Sequence, residues 1–217
     1  MPDQADDTRA ARAGLAPCWS CKGPVAVQAL FCHTCGAIQP PGQIDRFRRL
    51  GIEPDFDLDL DVIEKRYLGF QRAIHPDRFA TKPPRERALA EAQAVALNEA
   101  YETLKDPLRR AAYLLSLKGI DASVSKDETV RDPELLMQAM EAREALLEAD
   151  SADAVEKLAA KAGADAIAIL SNLSKAFESD DLRAANRLTT KLKYLRKYLE
   201  ETRTRRVALE QSTKGSA

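Results

Sequence analysis

Apolar residues recur through most of this chain at the spacing of an amphipathic helix. Ile63, Tyr67, Phe70 and Ile74 stand at i, i+4, i+7 and i+11 and form one stripe. Asp61 and Glu64 suit a capping-box-like start to that helix, and Pro76 predicts its end near His75. Over 85–105, Ala90, Ala94, Leu97, Tyr101 and Leu104 share a face. Asp106-Pro107 reads as an N-cap followed by proline at the first helical position. It opens a short helix with Ala111, Ala112, Leu114, Leu115 and Leu117, closed by Gly119. Asp132-Pro133 repeats the signal, and three helices are predicted near 132–149, 152–178 and 181–206. In the second of these Val155, Leu158, Ala162, Ala166, Ile169, Leu173 and Phe177 track one face; in the third Leu188, Leu192, Leu195 and Leu199 do so. Their connections are short, so neighbours should pack antiparallel. A further short helix fits 43–50, ended by Gly51 and Pro54. No strand pattern appears outside 17–41, and no internal repeat is evident.

The helix near 132–149 departs from this regularity. Leu135, Ala139, Ala142 and Leu146 make one stripe, but Leu136, Met140 and Leu147 make a second, with Met137 adjoining. A three-helix bundle buries about one broad stripe per helix, so the second predicts an exposed apolar face. The chain's only methionines besides Met1 are Met137 and Met140, and flexible thioethers suit an adaptable contact surface. The fold class is therefore all-α. Its expected parts are a disordered tail over 1–16, a cysteine module over 17–41, a helical unit over 42–119, a linker over 120–131, a three-helix bundle over 132–206 and a tail over 207–217.

Charge narrows the function. Lys and Arg number 33 against 34 Asp and Glu, a net of -1 over 217 residues, which argues against a protein built to grip nucleic acid. No run of about 18 apolar residues exists, so no membrane-spanning segment is expected. Asp3, Asp6 and Asp7 precede Arg9 and Arg12 without an apolar core, unlike an export signal. Cytoplasm is the favoured compartment, with the mitochondrial matrix as the alternative that Arg9, Arg12 and the many alanines keep open.

All four cysteines fall within eighteen residues, as Cys18-Trp19-Ser20-Cys21 and Cys32-His33-Thr34-Cys35. Two Cys-x-x-Cys pairs present four thiolates from two tight turns, which suits a structural zinc ion in a tetrahedral sulfur shell. Iron in the same cage is the main competitor, and disulfides are disfavoured without export. Gly23 and Gly36 are expected to relieve the strain of the turns. Redox sensing through release of the metal is a further reading of the four thiols.

His75-Pro76-Asp77 lies between two predicted helices. Upstream stand Lys65, Arg66 and Arg72, with Arg78 just after the tripeptide; downstream is Asn98-Glu99-Ala100-Tyr101-Glu102. A proline after a helix fixes a turn that projects its polar neighbours. An acid–base role for His75 and Asp77 lacks a nucleophile, and no phosphate-binding glycine-rich loop is present, so the chain is not read as an enzyme. Over roughly 43–119 the chain resembles the J-domain family, whose members stimulate the ATPase of DnaK-type chaperones. That resemblance implies that His75, Pro76 and Asp77 are the critical trio and that Lys65, Arg66, Arg72 and Arg78 supply electrostatic contact.

Over about 43–206 the chain resembles the HscB family, the specialised J-proteins of iron–sulfur cluster assembly. The Leu136-Met137-Gln138-Ala139-Met140-Glu141-Ala142-Arg143-Glu144 stretch is similar to that family's scaffold-binding helix. The resemblance implies an all-α cochaperone that delivers an IscU-type scaffold to a HscA-type chaperone. It implies scaffold contacts at Leu136, Met137, Met140, Glu141, Glu144 and Tyr194, with Arg143 a candidate polar contact. No nucleic-acid or membrane partner is expected, and weak homodimerisation stays open. The rival readings are a J-domain adaptor for a different client and a zinc-dependent nucleic-acid-binding regulator.

Overall fold

The computed structural model describes residues 14–121 and 133–214. The tail expected before residue 14 and most of the expected linker lie outside them. The chain forms two compact units: residues through Pro54 together with Leu58–Asp106, and Asp55–Asp57 together with Pro107 onward.

In the first unit, β1 (Leu15–Pro17) pairs antiparallel with β2 (Pro24–Ala26). The module therefore starts before residue 17, inside the stretch expected to be tail, because Leu15 and Ala16 find partners in Ala26 and Val25. The single-turn helix α1 (Arg46–Arg49) follows, shorter than the expected 43–50, with Asp45 accepting from the Arg48 N–H. Then come α2 (Leu60–Ala73), a 3-10 turn (Pro76–Phe79) and α3 (Pro84–Lys105). Asp59 caps α2, accepting from the Asp61 and Val62 N–H groups. Asp61 lies inside the first turn, so the expected capping box is replaced by the acid two residues earlier. Phe47, Leu50, Ile63, Ile74, Phe79, Leu97 and Leu104 form the buried interior.

The expected stripe supplies the lock between α2 and α3. Tyr67 stacks on Tyr101 with ring centroids 4.1 Å apart, and its hydroxyl donates to Asn98 Oδ1 at 2.9 Å. Gln71 Nε2 donates back to the Tyr67 hydroxyl. Lys105 lies 5.2 Å from the Tyr101 ring, and its hydrogen bond and charge interaction with Tyr101 raise its pKa.

The second unit holds α4 (Pro107–Leu117), α5 (Pro133–Glu148), α6 (Ala152–Glu178) and α7 (Leu182–Lys214). The division therefore falls at Pro107, earlier than the expected boundary after 119, because α4 packs on α7. Gly119, at φ +79°, closes α4 as expected, and the Ile120 N–H returns to the Leu115 carbonyl. Val155, Ala162, Ile169, Leu173 and Ala176 of α6 are buried, with Ala185, Leu192 and Tyr198 of α7. Phe56 also belongs to this core. Its ring is 3% exposed, stacks on Phe177 at 5.2 Å and has the Arg110 guanidinium carbon 5.1 Å from its centroid. Ser174 Oγ donates to the neighbouring Asp57 carboxylate.

Helix α7 runs to Lys214, through most of the tail expected over 207–217. Leu209 packs on the cluster of Leu146, Val155 and Tyr198, and Arg206 pairs with Glu156 at 2.5 Å and with Glu210 at 3.7 Å. Those contacts anchor residues whose apolar spacing is too sparse to mark a helix.

Candidate functional site

Three sets of side chains are candidates for function. The four cysteines come together as expected: their Sγ atoms all lie within 4.8 Å of one another. Cys18 and Cys35 are 3.7 Å apart, as are Cys21 and Cys32. A tetrahedron with metal–sulfur bonds of 2.3 Å has edges of about 3.8 Å, so the donor set fits a tetrahedral thiolate-bound metal.

The two turns are built alike, fourteen residues apart. Cys18 N–H bonds the Gly23 carbonyl and Cys32 N–H the Ala37 carbonyl; Lys22 N–H returns to Cys18 and Gly36 N–H to Cys32. This short structural repeat escaped the sequence pattern because only the cysteines are shared. The left-handed positions are Lys22 (φ 64°) and Gly36 (φ 72°), so Lys22 takes the role expected of Gly23.

Hydrogen bonds set the thiols apart. Burial pushes the Cys18 thiol up, but hydrogen bonds from the Cys21 and Ser20 backbone, with those of Cys35 and Gln39, outweigh it and bring it down to about 6. The Gly23 backbone favours the Cys21 thiolate, yet the neighbouring thiols and burial carry Cys21 up to about 11. Backbone N–H groups of Cys35 and Thr34, opposed by burial, lower the Cys32 pKa.

The module is tied to the helical hairpin. Trp19 Nε1 donates to the Ile38 carbonyl at 2.6 Å, and the Arg85 guanidinium lies 4.2 Å from the Trp19 ring. Gln39 Nε2 donates to Cys18 Sγ, while Gln93 Nε2 of α3 donates to the Gln39 carbonyl at 2.9 Å. Arg49 Nη2 reaches the Pro41 carbonyl at 2.8 Å. Sequence reasoning missed Gln39, Gln93 and Arg85, since polar residues in loops and on helical faces normally read as solvated.

The second set is the turn after α2. His75 caps the 3-10 turn, its Nδ1 accepting from the Asp77 N–H at 3.3 Å and lying 3.5 Å from Asp77 Oδ2. Both side chains are exposed, while Phe79 is buried beneath them. Pro76 and Arg78 are exposed within the turn, and Lys65 and Arg72 are exposed on α2. Arg72 Nε donates to the Leu68 carbonyl. Arg66 is engaged locally, donating to the Leu50 and Gly51 carbonyls. Gly51 has φ +66°, and a Cβ there would lie 2.7 Å from Arg66 Nη1.

The third set is the outer face of α5. Leu135 and Leu146 are buried, as the first stripe predicts. Leu136, Met137 and Met140 are 40%, 61% and 64% exposed, as the second predicts. Glu141 and Glu144 are exposed beside them. Tyr194 of α7 is half-buried and lines a cleft of about 700 Å³ with Glu141 and Arg143. Leu136, Met137, Met140 and Glu144 do not line that cleft. Arg143 grips Glu201 through two hydrogen bonds of 3.3 and 3.2 Å. Among the described residues no helix is long and apolar enough to cross a membrane.

Residues 45–113 match the DnaJ domain family and residues 131–203 match the HSCB C-terminal oligomerisation domain family. The chain is 32% identical over 212 residues to the human iron–sulfur cluster co-chaperone protein HscB, covering 96% of this chain and 90% of that one. It is 40% identical over 163 residues to the co-chaperone protein HscB homolog of Shewanella sp. (strain ANA-3), covering 71% and 92%. The crystal structure of the human co-chaperone protein HscB superposes with a TM-score of 0.83 at 32% identity, over 89% of this chain and all of that one.

Proposed function

Since this chain belongs to the HscB family of iron–sulfur cluster co-chaperones, we propose that it couples an iron–sulfur scaffold protein to a DnaK-type ATPase. His75, Pro76 and Asp77 form the contact that stimulates the ATPase, with Lys65, Arg72 and Arg78 as flanking cations. The nucleotide site belongs to the partner, so this chain acts without an enzymatic centre of its own. Arg66, bonded to Leu50 and Gly51, serves the hairpin first.

The outer face of α5 receives an IscU-type scaffold. The observation that carries this is the exposure of Met137 and Met140 on a helix whose other face is already buried. Leu136 extends the apolar contact; Glu141, Glu144 and Tyr194 flank it. Arg143 acts through its grip on Glu201, orienting the face as much as touching the partner. Holding scaffold and chaperone on one chain raises the effective concentration of one for the other.

Cys18, Cys21, Cys32 and Cys35 hold a structural zinc ion, which closes a segment too small to have a core of its own. The reduced thiolates suit the bacterial cytosol or the mitochondrial matrix, the cytosol being preferred.

The test is calorimetry with an IscU-type scaffold alongside an ATPase assay with a HscA-type chaperone. Met137→Glu/Met140→Glu should remove scaffold binding and keep basal ATPase stimulation; His75→Gln should do the reverse, with circular dichroism unchanged in both. Scaffold binding that survives the methionine changes, or full stimulation by His75→Gln, overturns the corresponding half.

A further inference from the structure

A groove of about 550 Å³ lies between the last turns of α5 and the C-terminal half of α7. Leu146, Leu147, Thr204 and Ala208 line it, with Lys197 and Arg205 at its edge. Leu147 is 76% exposed, more than any other large apolar side chain among the described residues. The core of the bundle does not use it. One wall of the groove, at Ala208, is contributed by the part of α7 that continues past residue 206.

Arg205 sits across one end. Its Nη2 donates to the Ala149 carbonyl at 3.1 Å and, at 3.5 Å, to that of Leu147. Its Nε is buried and has no hydrogen-bond partner among the described residues. Lys197 brings a positive and Glu200 a negative charge to the same groove, while Glu201 is held by Arg143.

We propose that this groove is a second contact for the scaffold protein, resting on the scaffold-binding reading above. It receives a large apolar side chain of the scaffold, with an adjacent backbone carbonyl accepting hydrogen bonds from Arg205 and Lys197. Continuity chooses this occupant. Leu136, Met140 and Leu147 are spaced i, i+4 and i+11 on one face of α5. A partner covering Met140 meets Leu147 about 10 Å further along the helix axis. The longer α7 thereby enlarges the docking face beyond the methionine patch.

The test uses the whole chain and a purified IscU-type scaffold in calorimetry, with Leu147→Gln, Ala208→Glu and the Met137→Glu/Met140→Glu variant. Leu147 is exposed and Ala208 lies on the solvated side, so circular dichroism and melting temperature should match the wild type in the first two. Each is expected to weaken binding about tenfold, the size of losing one well-packed apolar contact. Wild-type affinity in both, with binding lost in the methionine variant, overturns the second contact and leaves the scaffold reading intact. Absence of binding by the wild-type chain defeats both readings. Unchanged scaffold affinity together with a sedimentation dimer that Leu147→Gln abolishes would assign the groove to a second copy of this chain and overturn the proposal.

Discussion

Replacing Gln93 with methionine tests whether the cysteine module and the hairpin are one cooperative structure. Gln93 is 3% exposed, and its Nε2 donates to the Gln39 carbonyl at 2.9 Å. Gln39 in turn donates to Cys18 Sγ at 3.4 Å and to the Ala37 carbonyl at 2.7 Å. A short bonded path thus runs from a thiol of the metal-fit cluster into the middle of α3. Methionine keeps the length and helix propensity of the side chain but removes the donor. The Gln39 carbonyl then stays buried without its partner, at a cost of about 1–3 kcal/mol. The other bond of Gln93, accepted from Arg49 Nη1 at 3.5 Å, is long and adds little.

The informative quantity is how that cost depends on metal. With the cysteines closed on a metal the module holds its place, and the full penalty should appear in urea unfolding. After chelation under reducing conditions the module loses its closure, the Gln39 carbonyl returns to water, and the penalty should shrink to a few tenths of a kcal/mol. Fluorescence follows the module directly, because Trp19 is the only tryptophan and carries Arg85 against its ring. Equal penalties with and without metal would refute the reasoning, showing that the contact forms without the closed cluster. No penalty in either state would show that the buried bond contributes nothing.

Two further outcomes check the second unit. Phe56→Ala deletes a ring that is 3% exposed and stacked on Phe177, and should cost about 3–5 kcal/mol. Hydrogen exchange should quicken at the C-terminal end of α6 more than in α2; uniform acceleration would count against Phe56 belonging to the second unit. Arg143→Ala removes a half-exposed ion pair with Glu201 and should change stability by no more than about 1 kcal/mol. A larger fall in the melting transition would show that this pair holds α5 to α7.

Most of the architecture was legible because helical spacing, proline and short loops act locally. Pro76, Pro107 and Pro133 mark element starts, and the double stripe of α5 announced its exposed face. What escaped depended on partners distant in sequence. Asp57 and Phe56 lie outside every predicted helix, yet their partners are Ser174 and Phe177, more than a hundred residues on. Arg143 looked available for a partner until Glu201 was placed beside it. The end of α7 past residue 206 followed the same rule, since Leu209 packs on the cluster of Leu146, Val155 and Tyr198. At the four cysteines the spacing was sufficient to predict that the thiols cluster, but not the conformations of Lys22 and Gln39, which depend on how the turns close.

The two outward-facing surfaces are supported in different ways, and this predicts how each tolerates change. His75 and Asp77 stand on a turn fixed from below by buried Phe79 and, along the hairpin, by the Tyr67–Tyr101 stack and the Asn98 hydrogen bond. Their geometry is therefore imposed by contacts within the hairpin itself. Asn98→Ala removes one of these and should weaken ATPase stimulation through position alone. The face of α5 has thinner support: within the helix only Leu135 and Leu146 are buried. Its apolar residues tolerate exchange for others of similar size, because thioether and aliphatic contacts adapt. Met137→Leu should bind scaffold within about threefold of wild type, less than the tenfold step of a lost contact. Asp77→Glu, which moves the carboxylate by one methylene, should abolish stimulation if that turn works by geometry. Retained stimulation with the glutamate would mean that charge alone suffices there, and the rigid backing would need another explanation.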